Sequence, residues 1–203
     1  MLQHLGKYIM LDSMSSLPMF RKSEQREFFA HHMLLHAAEL EIEDAELNEL
    51  GRFNKCLAAM VMTALAVEAL LNAVGSRVVS DWSAFERLRP YEKLDILVGQ
   101  LPIVRDETKE PWTTLAFLGR FRNDIAHPKS EIVATERVLP EVGLSKTAFT
   151  APQSKLEQEI TLGNTRRVYA AVHTLKGLFT DALPVEKRFG IYADMWSGGT
   201  SVA

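Results

Sequence analysis

The sequence predicts an all-α protein, an up-and-down bundle of four to five helices with a long irregular insert before the last one. Three observations lead there. Apolar residues recur at three- and four-residue spacing through much of the chain. Pro90, Pro111, Pro128 and Pro184 fall at the edges of these periodic stretches, where a helix starts or stops. One stretch, "CLAAMVMTALAVEALLNAV", is apolar nearly all round, as a helix covered on several sides must be.

Taken in order, residues 1–22 form an N-terminal segment. Ser23 is the expected N-cap of a helix through "EQREFFAHHMLLHAAELEI", with Phe28, Phe29, Met33, Leu34, Ala37 and Leu40 at helical spacing. A second helix is expected from about Leu47 to Val74, ending near Gly75. "RPYEKLDILVGQL" predicts a shorter helix with Pro90 in its first turn. "EPWTTLAFLGRFRNDIAH" repeats that pattern with Pro111, and Leu115, Leu118, Phe121 and Ile125 give it one apolar stripe. Pro128 disfavours helical backbone at His127, so this helix should stop there.

Residues 128–162 lose the period and read as a long connection with room for a short hairpin. Helix returns in "NTRRVYAAVHTLKGLFTDAL", with Asn164 or Thr165 as its cap and Pro184 after it. The helical domain is therefore expected over 23–184, with 185–203 as a partly disordered tail. No internal repeat or low-complexity tract is present.

Composition bounds the function. With 47% hydrophobic and 24% charged residues, the chain has the make-up of a soluble globular protein. A formal net charge of -3 gives no global field for polyanions, so any nucleic-acid contact needs a local patch. Residues 24–50 hold eight acidic groups against Arg26 alone and should face away from one. Cys56 is the single cysteine, which excludes an intrachain disulfide and a cysteine zinc site and fits a reducing cytoplasm. The uncharged apolar run from Cys56 to Val67 is shorter than a membrane span, and the N-terminus lacks a signal-peptide core, so a cytoplasmic protein without a membrane is expected. No Gly-rich phosphate loop, nucleophile elbow or dinucleotide fingerprint occurs, and no cofactor is implied.

The polar groups that call for explanation lie on apolar helices. Glu68 and Asn72 are four residues apart and share a face. Left without partners in a core they cost about 1–3 kcal/mol each, more if charged. Arg120, Arg122 and Asn123 are the nearest cluster of donors. Within "GRFRNDIAHPKS", Asn123 and His127 stack on one face, whereas Arg122 and His127 are five residues apart, about 140° around the helix. A twofold dimer would ease that divergence by bringing one subunit's arginine towards the other's histidine.

Here the sequence resembles a known family. "RNDIAH" fits the R-x4–6-H signature of HEPN domains (higher eukaryotes and prokaryotes nucleotide-binding). "ALAVEALLNAVG" is similar to that family's second helix, with its Glu-x3-Asn pair at Glu68 and Asn72. "LRPYEKLDIL" resembles the segment between the two motifs. The resemblance covers roughly residues 50–130. It implies a helical bundle that dimerises with both motifs at a shared cleft. It also implies a metal-independent endoribonuclease of toxin–antitoxin, phage-defence or stress systems. Arg122 and His127 would be the catalytic pair, with Asn123, Glu68 and Asn72 in support. Lys129 stands where one branch, the toxins paired with small nucleotidyltransferases, carries a tyrosine. That departure sets the chain apart from this branch; an antitoxin protein would be a partner of a toxin of the family at large.

The chemistry is coherent. Metal-free RNA cleavage deprotonates a 2′-hydroxyl and protonates the 5′-oxygen, leaving a 2′,3′-cyclic phosphate and a 5′-hydroxyl. Histidine as a residue type suits that proton transfer, and an arginine binds phosphate bidentately. Plainer readings stand beside this one. Arg122 and His127 also fit a solvated helix end, with the imidazole near the last carbonyls. Glu68 and Asn72 fit a structural polar network. A non-catalytic HEPN dimer that binds a nucleotide or a protein is the alternative function. His32 and His36 share a helical face, but no cysteine or clear third ligand joins them and His31, so no metal site is expected. Arg120, Lys129, Arg166 and Arg167 are surface charges or extensions of an RNA-binding surface.

Overall fold

A computed structural model of the chain describes residues 20–136, 151–193 and 195–202. Six α-helices and one small sheet are present among them: β1 Phe20–Glu27, α1 Ala30–Leu47, α2 Arg52–Val78, α3 Pro90–Gln100, α4 Trp112–Ala126, α5 Lys155–Glu159, α6 Leu162–Ala182 and β2 Met195–Val202. The protein is an all-α bundle with a two-stranded ribbon beside its helices in sequence. The ribbon is one compact unit and the described residues from Phe28 to 193 are another.

In the helical unit α2 is the axle. It packs against α1, α3, α4 and α6. Met60, Leu70, Leu71 and Val74 of α2 meet Leu97, Leu118, Phe121, Val172, Leu175 and Phe179 in one core. By length and composition α2 would also suffice to cross a membrane: its most apolar 18 residues have a mean hydropathy of 1.9. The sequence expectation had rested on the uncharged run 56–67 alone. In the bundle this apolarity meets four neighbouring helices.

Helix boundaries follow local chemistry. Pro90 opens α3, where the Arg89 backbone N–H donates to Glu92 (2.8 Å). At the start of α4 the Glu110 carboxylate accepts from the Thr114 hydroxyl (2.8 Å) and backbone N–H (3.3 Å). These bonds, the hydroxyl's foremost, hold the Glu110 carboxyl below its ordinary pKa. His127 is the C-cap of α4, directly before Pro128. Pro184 follows α6 as expected.

Several expectations are corrected. Ser23 does not cap a helix: it lies in β1, paired with Gly199 of β2. The ribbon is antiparallel, running from Phe20↔Val202 to Glu27↔Met195, so the supposed disordered tail is a strand over Met195–Val202. The helical unit thus begins at Phe28, and it keeps residues 185–193, which had been assigned to the tail.

In α1 the inward stripe is His31, Leu35, Ala38, Ile42 and Ala45, while Phe28, Met33 and Leu40 of the expected stripe are exposed. His31 is fully buried and donates from Nε2 to the Ile191 carbonyl (3.3 Å), and His32 Nε2 donates to that of Gly190 (2.9 Å). These two imidazoles fasten the chain after α6 onto α1. His36 instead lies 3.7 Å from Glu39, and no group of three metal-ligating side chains occurs among the described residues.

The second helix starts later than expected, at Arg52, and runs through Gly75 to Val78. Gly75 is needed for close approach, not as a cap. A Cβ there would lie 2.2 Å from the Trp82 indole, which docks flat on the helix backbone. The last helix is capped by Thr161, whose Oγ1 accepts from the Asn164 N–H (3.1 Å). Asn164 serves otherwise, donating from Nδ2 to the Glu159 carbonyl (2.8 Å). In the long connection, residues 127–136 are irregular and α5 carries its own capping box at Ser154 and Glu157. The remainder of the expected hairpin region, 137–150, lies outside the described residues, as do residues 1–19 of the N-terminal segment.

Candidate functional site

Glu68 of α2, Lys93 of α3 and Arg122 of α4 converge from three helices. Lys93 Nζ is 3.5 Å from Glu68 Oε1, and Arg122 Nη2 is 3.8 Å from Glu68 Oε2. Asn123 Oδ1 accepts from Arg122 Nη1 at 3.5 Å. One carboxylate therefore stands between two cations, each facing a different oxygen. The setting is graded in depth. Lys93 is wholly buried, whereas the Glu68 and Arg122 side chains keep 33% and 37% of their surface in solvent. The carboxylate faces a buried charge on one side and an accessible guanidinium on the other.

Lys93 is the residue that sequence reasoning missed. Its signal was its position: it stands with Leu94 and Leu97 on the inward face of α3, where an apolar side chain is the rule. A buried ammonium demands a counter-charge, and Glu68 supplies it. The sequence had looked only to α4 for that partner.

The other expected site residues separate into groups. Asn72, one turn beyond Glu68, receives no donor from α4: its Oδ1 is buried and without a partner among the described residues. Arg120 points to α5, where Nη2 donates to Glu159 Oε1 at 2.7 Å. Its guanidinium and that of Arg167 also sit over the Phe117 ring, at 5.4 and 5.0 Å from the centroid. Arg166 Nε is 2.5 Å from Glu46 Oε1 of the acidic first helix. Three of the four candidate RNA-binding cations are thus engaged within the chain. Lys129 and His127 are exposed. His127 sits past the last helical turn with φ -132° and ψ 56°, its backbone N–H donating to the Asn123 carbonyl (2.9 Å).

Two hollows adjoin Arg122. One is a cleft of about 350 Å³ between α2, α3 and α4, with Tyr91 and Arg89 at its edge. Burial raises the Tyr91 phenol above its ordinary pKa, partly offset by nearby Arg105. The other, about 150 Å³, is shallow and apolar, formed by Val61, Ala64, Leu65, Ile125 and Ala126 around Arg122. Leu65 is 42% exposed there.

The arrangement offers a guanidinium that is 37% exposed and faces α2, and an exposed imidazole past the end of the same helix. As residue types, a guanidinium binds phosphate and an imidazole transfers protons. No family model, curated protein or solved structure matches this chain.

Proposed function

We propose that the protein is a metal-independent endoribonuclease of HEPN type. It acts as a homodimer in the cytoplasm and cleaves RNA to 2′,3′-cyclic phosphate and 5′-hydroxyl ends. Its role is that of a toxin, phage-defence or stress effector, held in check by an antitoxin protein where one is encoded. His127 transfers the proton and Arg122 binds the scissile phosphate, with Asn123 and Glu68 orienting the guanidinium.

The observation that carries this reading is the contact of Arg122 with Glu68. It fixes the arginine of the R-x4-H motif against the glutamate of the Glu-x3-Asn motif, 3.8 Å apart on facing helices. Arg122 turns towards α2, while His127 is exposed at the helix end. A twofold partner supplies the complementary group to each. The apolar hollow of Val61, Leu65, Ile125 and Ala126 beside Arg122 gives such a partner a place to pack. An interface of standard size would bury about 1,600 Å² in total.

A second reading, a non-catalytic dimer binding a nucleotide or a protein, draws on a different observation. Arg120, Arg166 and Arg167 are engaged with Glu159, Glu46 and Phe117, so three of the four cations expected to extend an RNA-binding surface already have partners within the chain.

Cleavage of RNA by the pure protein in EDTA, compared with His127→Ala, separates the two. The first reading expects cleavage by wild type and a 10²–10⁴-fold loss in the variant, about what a general acid–base group contributes. Cleavage that persists in His127→Ala but stops in EDTA overturns the mechanism. A monomer by sedimentation at concentrations on the order of tens of micromolar overturns the dimer.

A further inference from the structure

Lys93 takes no part in the cleavage steps proposed above, yet it is wholly buried against the carboxylate that faces Arg122. It shares the inward face of α3 with Leu94 and Leu97. An apolar side chain would fill that place without the cost of desolvating an ammonium. What the charge adds is a hold on one oxygen of Glu68.

The contacts at Glu68 are divided between its oxygens. Lys93 Nζ donates to Oε1 at 3.5 Å, and Arg122 Nη2 faces Oε2 at 3.8 Å. Arg122 Nη1 donates to Asn123 Oδ1 at 3.5 Å. A guanidinium and a carboxylate left to themselves close into a fork, two parallel N–H···O bonds of about 2.7–2.9 Å. No fork forms here. Arg122 meets a single oxygen, about 1 Å beyond bonding distance. Its guanidinium makes no polar contact shorter than 3.5 Å among the described residues, on a side chain that is 37% exposed.

We propose that Lys93 is a positioning residue. By holding Glu68 Oε1 it keeps Arg122 from closing a fork on the carboxylate, and so leaves the planar N–H edge of Arg122 open to a phosphate. The depth of the three side chains suits this role. Lys93 has no exposed surface and cannot touch an anion in solvent, whereas Glu68 and Arg122 are one-third exposed and can rearrange. Held from α3, the carboxylate still faces the guanidinium from α2 without neutralising it in a tight pair. The role rests on the ribonuclease reading only for which phosphate Arg122 takes. Inorganic phosphate serves as the probe.

The test uses the full-length protein with ¹⁵N-labelled arginine, titrated with inorganic phosphate. In wild type the two Nη groups of Arg122 should give one averaged signal, since neither contact is short enough to stop rotation of the guanidinium. Phosphate should shift the Nε signal of Arg122. In Lys93→Met the Nη signals should separate as the fork closes on Glu68. Phosphate affinity should then fall about tenfold, the loss of one hydrogen bond between charged groups. Adding Glu68→Gln to Lys93→Met removes the carboxylate that closes the fork, so the averaged signal and the phosphate affinity should both return. A packing role for Lys93 would not produce that pattern. A role through charge alone would weaken phosphate without separating the Nη signals. Either result overturns the positioning role. So does a wild type whose Nη signals are already separate, or whose Arg122 does not respond to phosphate, and these two results need no variant to fold. Cleavage of RNA in EDTA separates this role from the ribonuclease reading. Unchanged kcat and KM in Lys93→Met overturn the positioning role and leave the ribonuclease reading in place. Phosphate binding that depends on Lys93, in a wild type that cuts no RNA, supports the positioning role and overturns only the ribonuclease reading.

Discussion

Lys93, wholly buried, holds its ammonium 3.5 Å from Glu68 Oε1, so a charge in the core of the bundle depends on a carboxylate that is one-third exposed. Removing the exposed member strands the buried one. Breaking such a pair costs about 3–5 kcal/mol when both partners are buried. With Glu68 partly in solvent, Glu68→Ala should cost about 2–3 kcal/mol in urea unfolding, towards the low side of that range. Lys93→Met replaces the ammonium with an apolar chain of similar length and should be near neutral. Added to Glu68→Ala, Lys93→Met should recover most of the lost stability. Additive losses in the double variant would show that the pair is not coupled.

Gly75 and Trp82 set two rules against each other. Glycine to alanine inside a helix ordinarily gains about 0.5–1 kcal/mol. At Gly75 the new Cβ would meet the Trp82 ring at 2.2 Å, and the indole would have to leave its seat on α2. Overpacking of this kind costs about 1–3 kcal/mol, so Gly75→Ala should destabilise. Tryptophan fluorescence should shift towards the red as Trp82, now buried, meets water. A more stable Gly75→Ala with unchanged fluorescence would contradict this packing.

Much of this fold is legible because it is local. Pro90, Pro111, Pro128 and Pro184 punctuate the helices where backbone chemistry requires. The pairing of Glu68 with α4 follows from unsatisfied polarity on an apolar helix. What is hidden is non-local. β1 exists only by pairing Glu27 with Met195 and their neighbours, and nothing near Ser23 announces a partner so far along the chain. The first helix carries apolar residues on more than one face, so period alone could not decide between Leu35 and Met33 as the inward residue. Lys93 was hidden for a chemical reason. Its spacing from Leu94 and Leu97 hints at an inward position, but a lysine beside Tyr91 and Glu92 also fits a solvated face, and the tertiary position of Glu68 decides between the two.

Two titrating groups at the α1–α6 contact give the stability a pH dependence at both ends. His173 is exposed on its outer side, and the partial desolvation of its ring, then the charge of Lys176, hold it below the ordinary imidazole pKa of 6.5, with Glu39 opposing. The unfolded chain then binds the proton more readily. The stability from neutral His173 is present above pH 6.5 and is lost as pH falls through 6.5 towards the folded value. His173→Asn should flatten that acid limb in thermal melts. Tyr169, whose ring lies 4.5 Å from that of His173, is pushed up to about 12 by burial and then by Glu39 and Glu43. Its contribution is present below the ordinary phenol value of 10 and is lost as pH rises towards 12. In an alkaline absorbance titration of the folded protein, one of the four tyrosines should ionise near pH 12 and be missing from Tyr169→Phe. Ionisation of all four near pH 10 would refute this burial.

Arg122 offers the sharpest separation of catalysis from stability. Its guanidinium meets Glu68 at 3.8 Å and Asn123 at 3.5 Å, both long contacts on a half-exposed side chain. Ion pairs of that kind contribute about 0–1 kcal/mol to stability. Arg122→Lys should therefore melt within a few degrees of wild type and leave the proposed dimer unchanged. Its effect on the proposed cleavage should be much larger. Lysine retains the charge but loses the planar fork that binds two phosphate oxygens at once, and it cannot donate in that geometry while also facing Glu68. Loss of one such transition-state donor costs about 10²–10³-fold in rate. Single-turnover cleavage of RNA in EDTA, run beside thermal melting, measures both quantities on the same sample. A rate near wild type in Arg122→Lys would mean that Arg122 contributes charge alone. A large loss of stability would mean that the Glu68 contact is part of the core, and that its cleavage defect says nothing about chemistry.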